Sequence, residues 1–265
     1  MLASSGTLIF DPQHIWGTSG RMKRTKVFCI GLGKTGTTSM SAILKQLGHL
    51  HQTGPIEQGL VWREVGKLDR LWKIVDTHDS FDDFPYPHLY RELFNRYPGS
   101  KFILTIRSSP EIWLSSLKKH NLRMGPTTAQ FLAYGCYSAE GHEAELTKLY
   151  ENHIDQVREF FLGYENFIEI DLAQPNAQDK LAEFLGADPA DLRMPITNTA
   201  ASKSPKFIID RLIRKDFVGS AIQFAKHQGE PEVWLEYISG KIDRHYRNRF
   251  RLRKNLNRLL GLSKR

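Results

Sequence analysis

The fold of this chain is decided by the stretch Lys26-Val27-Phe28-Cys29-Ile30-Gly31-Leu32-Gly33-Lys34-Thr35-Gly36-Thr37-Thr38-Ser39-Met40. It opens with a near-continuous apolar run, which is typical of a strand covered on both faces by helices. A glycine-rich turn follows, and Met40, Ile43, Leu44 and Leu47 then recur at helical spacing. The stretch therefore predicts a strand, a turn and a helix whose amino terminus binds an anion, most often a phosphate.

The rest of the chain alternates strand-like and helical segments. Further strands are predicted at residues 72–76, 101–106 and 166–170, each separated from the next by enough chain for a helix. Residues 49–70 predict a loop and a short helix, with no strand around residues 50–53. The alternation predicts an α/β fold with a central parallel sheet between two helical layers, followed by a helical C-terminal extension.

The sequence divides into three parts. We predict a flexible N-terminal arm over residues 1–25, one folded domain over residues 26–240 and a basic helical tail over residues 241–265. Met22 stands just ahead of the first strand and is a candidate for the natural start. The net charge of +8 favours an anionic ligand, and the tail is interpreted as a solvated helix face that would also allow peripheral contact with an anionic surface.

Composition also restricts the class of protein. The two cysteines, Cys29 and Cys136, have no metal-ligand spacing, which predicts neither a disulfide nor a zinc site. No apolar run approaches the roughly 20 residues of a membrane span, and the first ten residues lack the basic region of a signal peptide. We therefore predict a cytoplasmic protein without a stable membrane span.

The glycine-rich turn fits two nucleotide-binding patterns incompletely. Gly31-x-Gly33-x-x-Gly36 matches the dinucleotide fingerprint, but the acid expected about 20 residues later is missing, and the first one downstream is Glu57. Gly31 and Gly36 also have the spacing of a nucleoside-triphosphate P-loop, yet Thr37 stands where its lysine should be.

A P-loop enzyme also needs a magnesium-binding acid at the end of a neighbouring strand. The predicted strand at residues 101–106 ends instead in Arg107, which leaves Asp76 as the acid for that place. A kinase or NTPase stays an alternative.

A third pattern is the order lysine, small residue, glycine and two hydroxyls in Lys34-Thr35-Gly36-Thr37-Thr38. It resembles the phosphosulfate loop of the PAPS-dependent sulfotransferases, and Arg107 and Ser115 resemble the arginine and serine, eight residues apart, with which that superfamily binds the 3′-phosphate. The segment 81–115 is similar to small bacterial members, and the resemblance covers residues 26–171. It implies a P-loop NTPase-like fold and a set of nucleotide-binding residues: Gly33, Lys34, Thr35, Gly36, Thr37, Thr38, Arg107 and Ser115.

The same resemblance implies a reaction. A sulfuryl group would move from PAPS to a hydroxyl or amine acceptor, adenosine 3′,5′-bisphosphate would be released, and no metal would be required. Lys34 would neutralise the leaving phosphate oxygen. The general base should lie at the carboxyl end of a strand beside the phosphate site, where Asp79 is favoured, His78 is second and Asp83 remains an alternative.

The resemblance leaves the acceptor open among small molecules, glycans and lipids, and it implies no nucleic-acid partner. Tyr150 and His153 either line the acceptor pocket or belong to the core, and Lys203 is a candidate for the far side of the nucleotide. A non-enzymatic alternative is a polyanion-binding protein that uses the basic tail. Oligomeric state is not predicted.

Overall fold

The computed structural model describes residues 24–193, 204–228, 230, 232–242 and 244. At the centre of this part of the chain lies a parallel sheet of five strands in the order β2-β3-β1-β4-β5. The strands are β1 (Val27–Cys29), β2 (His51–Thr53), β3 (Ser80–Asp82), β4 (Lys101–Thr105) and β5 (Phe167–Ile170). The predicted α/β class with an all-parallel sheet is confirmed.

Helices occupy most of the connections between these strands. They are α1 (Thr37–Gln46), α2 (Ile56–Glu64), α3 (Asp69–Thr77), α4 (Tyr90–Arg96), α5 (Pro110–Met124), α6 (Thr128–Tyr134), α7 (Glu143–Phe160), α8 (Ala177–Leu185), α9 (Pro205–Arg214) and α10 (Val218–Lys226), with short 3₁₀ turns at Tyr86–His88 and Pro189–Asp191. Residues 232–242 are also helical. The predicted helical C-terminal extension is confirmed over the described residues.

Strand β1 is central, because Val27 pairs with Ser80 of β3 on one side and with Lys101 of β4 on the other. The chain after β1 crosses to the β2–β3 side, whereas the chain after β4 continues outward to β5. In open parallel sheets such a change of direction creates a crevice at the carboxyl ends of the two strands. The fold therefore places a binding crevice where β1 and β4 end.

Apolar side chains from β1 alternate between two cores, one on each face of the sheet. Phe28 lies 4.9 Å from Phe81 and 5.4 Å from Phe102, ring centroid to ring centroid, in the larger core. Cys29 packs on the other face with helices α1 and α8, for example against Met40. Both faces of the strand are therefore covered, as the continuous apolar run predicted.

Two predictions in the first half of the chain are wrong. Residues 72–76, predicted as a strand, belong to helix α3, where Leu71 and Val75 are buried one turn apart. Strands β2 and β3 fall in segments predicted as loop. Polar residues in these strands conceal the apolar pattern of a buried strand. Ser80 and Asp82 are nevertheless buried, because they are hydrogen-bonded to the ring nitrogens of His51 at 2.9 and 3.2 Å.

Several predictions fall outside the described residues. These are most of the N-terminal arm with Met22, the loop residue Lys203, and the tail beyond residue 244. None of the described helices combines the length and the apolar character that crossing a membrane requires. Cys29 and Cys136 are both buried free thiols. The division into arm, domain and tail stays a prediction.

Candidate active site

The loop between β1 and α1 contains two residues with positive φ angles, of which only one is a glycine. Lys34 has a φ of 77° and Gly36 a φ of 119°, both in the left-handed region that favours glycine. A Cβ on Gly36 would also lie 2.8 Å from Leu172 Cδ1. Thr35 ties the loop to the sheet, since its buried hydroxyl donates to Leu32 O at 2.7 Å and shares a 2.6 Å hydrogen bond with Thr105 Oγ1.

Helix α1 begins directly after this loop with free backbone donors. Ser39 N and Met40 N donate to Gly36 O at 3.0 Å, so the amides of Thr37 and Thr38 precede the intrahelical ladder. The helix start has no side-chain cap, and its first turn holds no acidic residue. Thr37 is buried, whereas Thr38 is exposed. The positive end of α1 is thus available to an anion.

Lys34 directs an uncompensated charge into the same crevice. In the part of the chain that the structure describes, its ammonium has no hydrogen-bond or ion-pair partner. Burial lowers the pKa of Lys34 below its ordinary value, the charges of Arg123 and Arg107 lower it further, and Asp83 opposes them. A half-buried ammonium in this setting is stabilised by a bound anion.

Arg107 joins the loop from the end of β4. Its Nε donates to Lys34 O at 2.9 Å, and its backbone amide donates to Tyr150 Oη at 2.8 Å. The remaining guanidinium nitrogens have no partner among the described residues. Ser115 is exposed on α5, two residues after Trp113 and so about 200° around the helix from it. The structure thus brings Arg107 to Lys34 and shows no contact between Ser115 and the loop.

Two aromatic side chains fix the inner wall of the crevice. Trp113 Nε1 donates to Gly33 O at 2.9 Å, and Tyr134 Oη donates to the same oxygen at 3.5 Å. A Cβ on Gly33 would lie 2.8 Å from Tyr134 Oη, so the close approach of Tyr134 requires glycine here. These contacts hold helices α5 and α6 against the loop.

Asp83 follows the end of β3 and lies close to Gly33, on the same side as the Tyr134 hydroxyl. Its Oδ1 accepts from Phe84 N at 2.9 Å and lies 3.9 Å from the position of a Cβ on Gly33. Burial raises the pKa of Asp83 to about 6, with the Asp82 charge adding to the rise and the Phe84 amide and Lys34 opposing it. The Asp83 carboxyl group, with this raised pKa, therefore lies beside the glycine-rich loop.

His78 and Asp79 lie elsewhere, at the amino end of β3. Asp79 Oδ2 accepts from Leu50 N at 2.8 Å, and His78 Nδ1 lies 2.9 Å from Ile74 O. Both were expected to follow a strand, and this expectation is wrong because helix α3 precedes them. The amino and carboxyl ends of parallel strands form opposite edges of a sheet, so the structure gives their predicted role as general base no support.

Further polar residues on α5, which the sequence did not single out, also face the crevice. Burial and the charges of Lys34, Arg123 and Arg211 lower the pKa of His120 to about 4. The spacing of seven from Trp113 to His120 is the signal that could have placed them on one helix face. Tyr150 and His153, in contrast, are core residues: Tyr150 stacks on Trp113, and His153 Nε2 lies 2.8 Å from Ile30 O.

Comparison with known proteins agrees with this geometry. A family model described as a sulfotransferase domain matches residues 26–203, so the chain belongs to that family and its predicted resemblance to the sulfotransferases is confirmed. The chain is also 32% identical over 109 residues to the Ava biosynthesis cluster protein M of Aspergillus versicolor. That match covers 35% of this chain and 42% of the relative, which is less than half of its length.

The match to a sulfotransferase domain covers the glycine-rich loop and Arg107. Within the described residues there is no group of three or more His, Cys, Asp or Glu side chains that could hold a metal ion.

Proposed function

We propose that this protein transfers a sulfuryl group from PAPS to a hydroxyl or amine of an acceptor and releases adenosine 3′,5′-bisphosphate. One observation carries the proposal: Lys34, whose ammonium has no partner among the described residues, lies in the loop before the uncapped start of α1, with Arg107 bonded to its carbonyl and the Asp83 carboxyl group near Gly33. These groups can bind an anionic donor, neutralise a leaving oxygen and accept a proton.

The donor's phosphates fit the free donors of the crevice. The loop from Gly33 to Thr38 would hold the 5′-phosphosulfate through its backbone amides and the Lys34 ammonium. Arg107 would present the free side of its guanidinium fork to the 3′-phosphate. The exposed hydroxyl of Ser115 is proposed as a further 3′-phosphate ligand, while the side chain of Thr35 keeps the loop attached to β4.

Each reacting proton and charge has a protein group to receive it. PAPS supplies a sulfuryl group whose bond to the 5′-phosphate oxygen breaks as its bond to the acceptor atom forms. Lys34 would neutralise the charge that develops on that phosphate oxygen. Asp83 would take the acceptor's proton, in place of Asp79 or His78, because its pKa of about 6 leaves it ionised at neutral pH.

The acceptor is proposed to be a small molecule. The Aspergillus relative is named for a biosynthesis cluster, which supports a small-molecule acceptor over a glycan or a lipid. The cytoplasmic location, the absence of a nucleic-acid partner and peripheral contact through the tail stay predictions.

A second candidate, a P-loop kinase or NTPase, is favoured by one feature. Strand β3 ends in Asp82 and Asp83 beside β1, the place where such enzymes hold a magnesium-binding acid. Asp76, predicted for that role, lies instead in α3 and accepts a 2.8 Å hydrogen bond from Tyr97 Oη. Thr37 still occupies the position of the P-loop lysine, so sulfuryl transfer is the function that the site supports best.

Calorimetry separates these functions. We expect adenosine 3′,5′-bisphosphate to bind more tightly than ATP with magnesium or NAD, and Arg107→Ala to weaken that binding at least tenfold. Arg96→Ala, an exposed arginine on α4, is the matched control and should bind normally. Tight binding of ATP without the bisphosphate would establish the kinase instead. Loss of polyanion binding on deletion of residues 241–265, with no bisphosphate binding in the full chain, would favour the polyanion-binding protein.

A further inference from the structure

We propose that the acceptor carries an oxyanion, such as a carboxylate, and that Arg123 and His120 bind it at the end of α5 remote from Arg107. This inference rests on the proposed function and names the acceptor class of the same site. Two observations support it: the orientation of α5 against the glycine-rich loop, and the charge of Arg123 at the end of that helix. The direction in which the proposed donor extends supplies the third step.

The face of α5 is fixed by Trp113, whose indole nitrogen is bonded to Gly33 O. His120 follows seven residues later, within about 20° of the same face, and Arg123 lies one further turn along. Arg123 stands about 15 Å beyond Trp113 along the helix axis. Arg123 lies about 80° around the helix from Trp113, and the electrostatic effects of Arg123 on Lys34 and of Lys34 on His120 indicate that both side chains lie near the loop.

Arg123 brings a charge that no acid balances. Its Nε donates to Lys119 O at 3.2 Å, and within the described residues its guanidinium has no ion-pair partner. Arg211 of α9 adds a second guanidinium, which donates to Arg123 O and lies near Met124 Sδ. Arg123 is also the strongest of the charges that lower the pKa of Lys34, which indicates their proximity. Neighbouring like charges of this kind are stabilised when an anion lies between them.

His120 adds a neutral hydrogen-bonding group to this cluster. Its pKa of about 4 keeps the imidazole uncharged at neutral pH, so one ring nitrogen carries a proton and the other does not. Among the described residues neither nitrogen has a hydrogen-bond partner. A neutral imidazole beside a guanidinium offers an oxyanion one further donor without adding to the repulsion among the cations.

The direction in which PAPS would extend places Arg123 and His120 on the side from which the sulfuryl acceptor approaches. A donor held at its 3′-phosphate by Arg107 and at its leaving oxygen by Lys34 would extend its sulfuryl group beyond Lys34. Arg107 immediately precedes α5, whereas Arg123 lies near its last residue, Met124. The acceptor would therefore approach past Lys34, where Arg123 and His120 reach it and Arg107 does not.

The test compares matched probes on the enzyme saturated with adenosine 3′,5′-bisphosphate. The probes are 4-hydroxybenzoate against 4-hydroxybenzamide, and 6-hydroxyhexanoate against its amide, measured by calorimetry. We expect the carboxylate of at least one pair to bind at least tenfold more tightly than its amide. Arg123→Met should reduce that ratio to about one, Arg123→Glu should invert it, and Lys119→Met, an exposed neighbour on the same helix, should preserve it.

The outcomes separate this inference from the function on which it rests. If the bisphosphate does not bind the unmodified enzyme, the proposed function fails. If it binds but neither carboxylate is preferred, including the case in which no probe binds, the acceptor class is overturned while the donor assignment stands. Bisphosphate binding by Arg123→Met shows that the variant is folded, and a preference retained in that variant also overturns the inference. If that variant does not fold, His120→Asn replaces it and should lower the ratio about threefold.

Discussion

The amino and carboxyl edges of the sheet each carry a lysine and an aspartate, but the hydrogen bonds of these residues differ between the two edges. At the amino edge, Lys26 is 7% exposed and its ammonium donates to Val75 O at 2.6 Å and His78 O at 2.8 Å. Asp79 at that edge accepts from Leu50 N. At the carboxyl edge, Lys34 has no partner among the described residues, and Asp83 is held by one local backbone amide.

The difference separates charged groups that hydrogen-bond to the backbone of neighbouring segments from charged groups that have one local partner, or none, among the described residues. Lys26 and Asp79 form hydrogen bonds with backbone groups at the amino edge, and those of Lys26 are buried or partly buried. Burial lowers the pKa of Lys34 and raises the pKa of Asp83, and nearby charges also act on both groups. Such shifts are common for groups in functional sites. Substitutions at the two edges should therefore separate loss of activity from loss of stability.

The largest effect is expected for Lys34→Ala. Turnover should fall about 100- to 1,000-fold, because the leaving phosphate oxygen loses its neutralising charge. Affinity for adenosine 3′,5′-bisphosphate should change less than tenfold, since the loop amides and Arg107 remain. Transfer of radiolabelled sulfate from PAPS, with calorimetry of the product nucleotide, measures both. A variant with full turnover would remove Lys34 from the chemistry.

Asp83→Asn should reduce turnover about 100-fold by removing the proton acceptor. In the unmodified enzyme the rate should fall as pH decreases through about 6, where Asp83 becomes protonated, and this dependence should vanish in the variant. Asp79→Asn is the matched control at the other edge and should keep its rate within twofold. If Asp79→Asn is the inactive variant, the assignment of the base returns to the amino edge.

Lys26→Met should act on stability instead. Two buried carbonyls lose a charged donor, so the free energy of unfolding should fall by about 2–3 kcal/mol. Turnover per folded molecule should be unchanged below the melting transition. Urea denaturation measures the loss, and Lys73→Met, an exposed lysine of α3, should change the free energy by less than about 0.5 kcal/mol. Equal stability of the two variants would contradict the structural role of Lys26.

The smallest effect is a gain in stability for Asp83→Asn. The pKa of Asp83 is raised in the folded protein, so folding favours the protonated form and stability decreases as pH rises from about 4 through about 6. Removing the ionisable group should raise the free energy of unfolding at pH 8 by about 1–2 kcal/mol. The gain should disappear at pH 4, and denaturation at both pH values measures it. A loss of stability at pH 8 would show that the carboxylate is satisfied.

Local sequence signals predicted the parts of the fold that depend on neighbouring residues. The apolar run before Gly31 forms strand β1 as expected. Helix α5 also begins at a local signal, a serine cap followed by proline, where Ser109 Oγ accepts from Ile112 N at 3.4 Å. Strands β2 and β3 were not predictable in this way, since the buried polar residues Ser80 and Asp82 of β3 are hydrogen-bonded to His51, a contact that local sequence does not show. Helix α3 was mistaken for a strand because a short apolar run fits both periods.

By itself, the sequence determined the glycine-rich loop between a strand and a helix, the family of the chain and the place of Arg107 at the end of a strand. Those features follow from residue order along single strand-to-helix connections. The tertiary structure decided which acid meets the loop, because the direction of β3 brings Asp83 to the carboxyl edge and leaves His78 and Asp79 at the amino edge. It also decided that Arg123 and His120 lie close enough to Lys34 for electrostatic interaction, since the packing of α5 on Gly33 fixes how that helix lies against the loop.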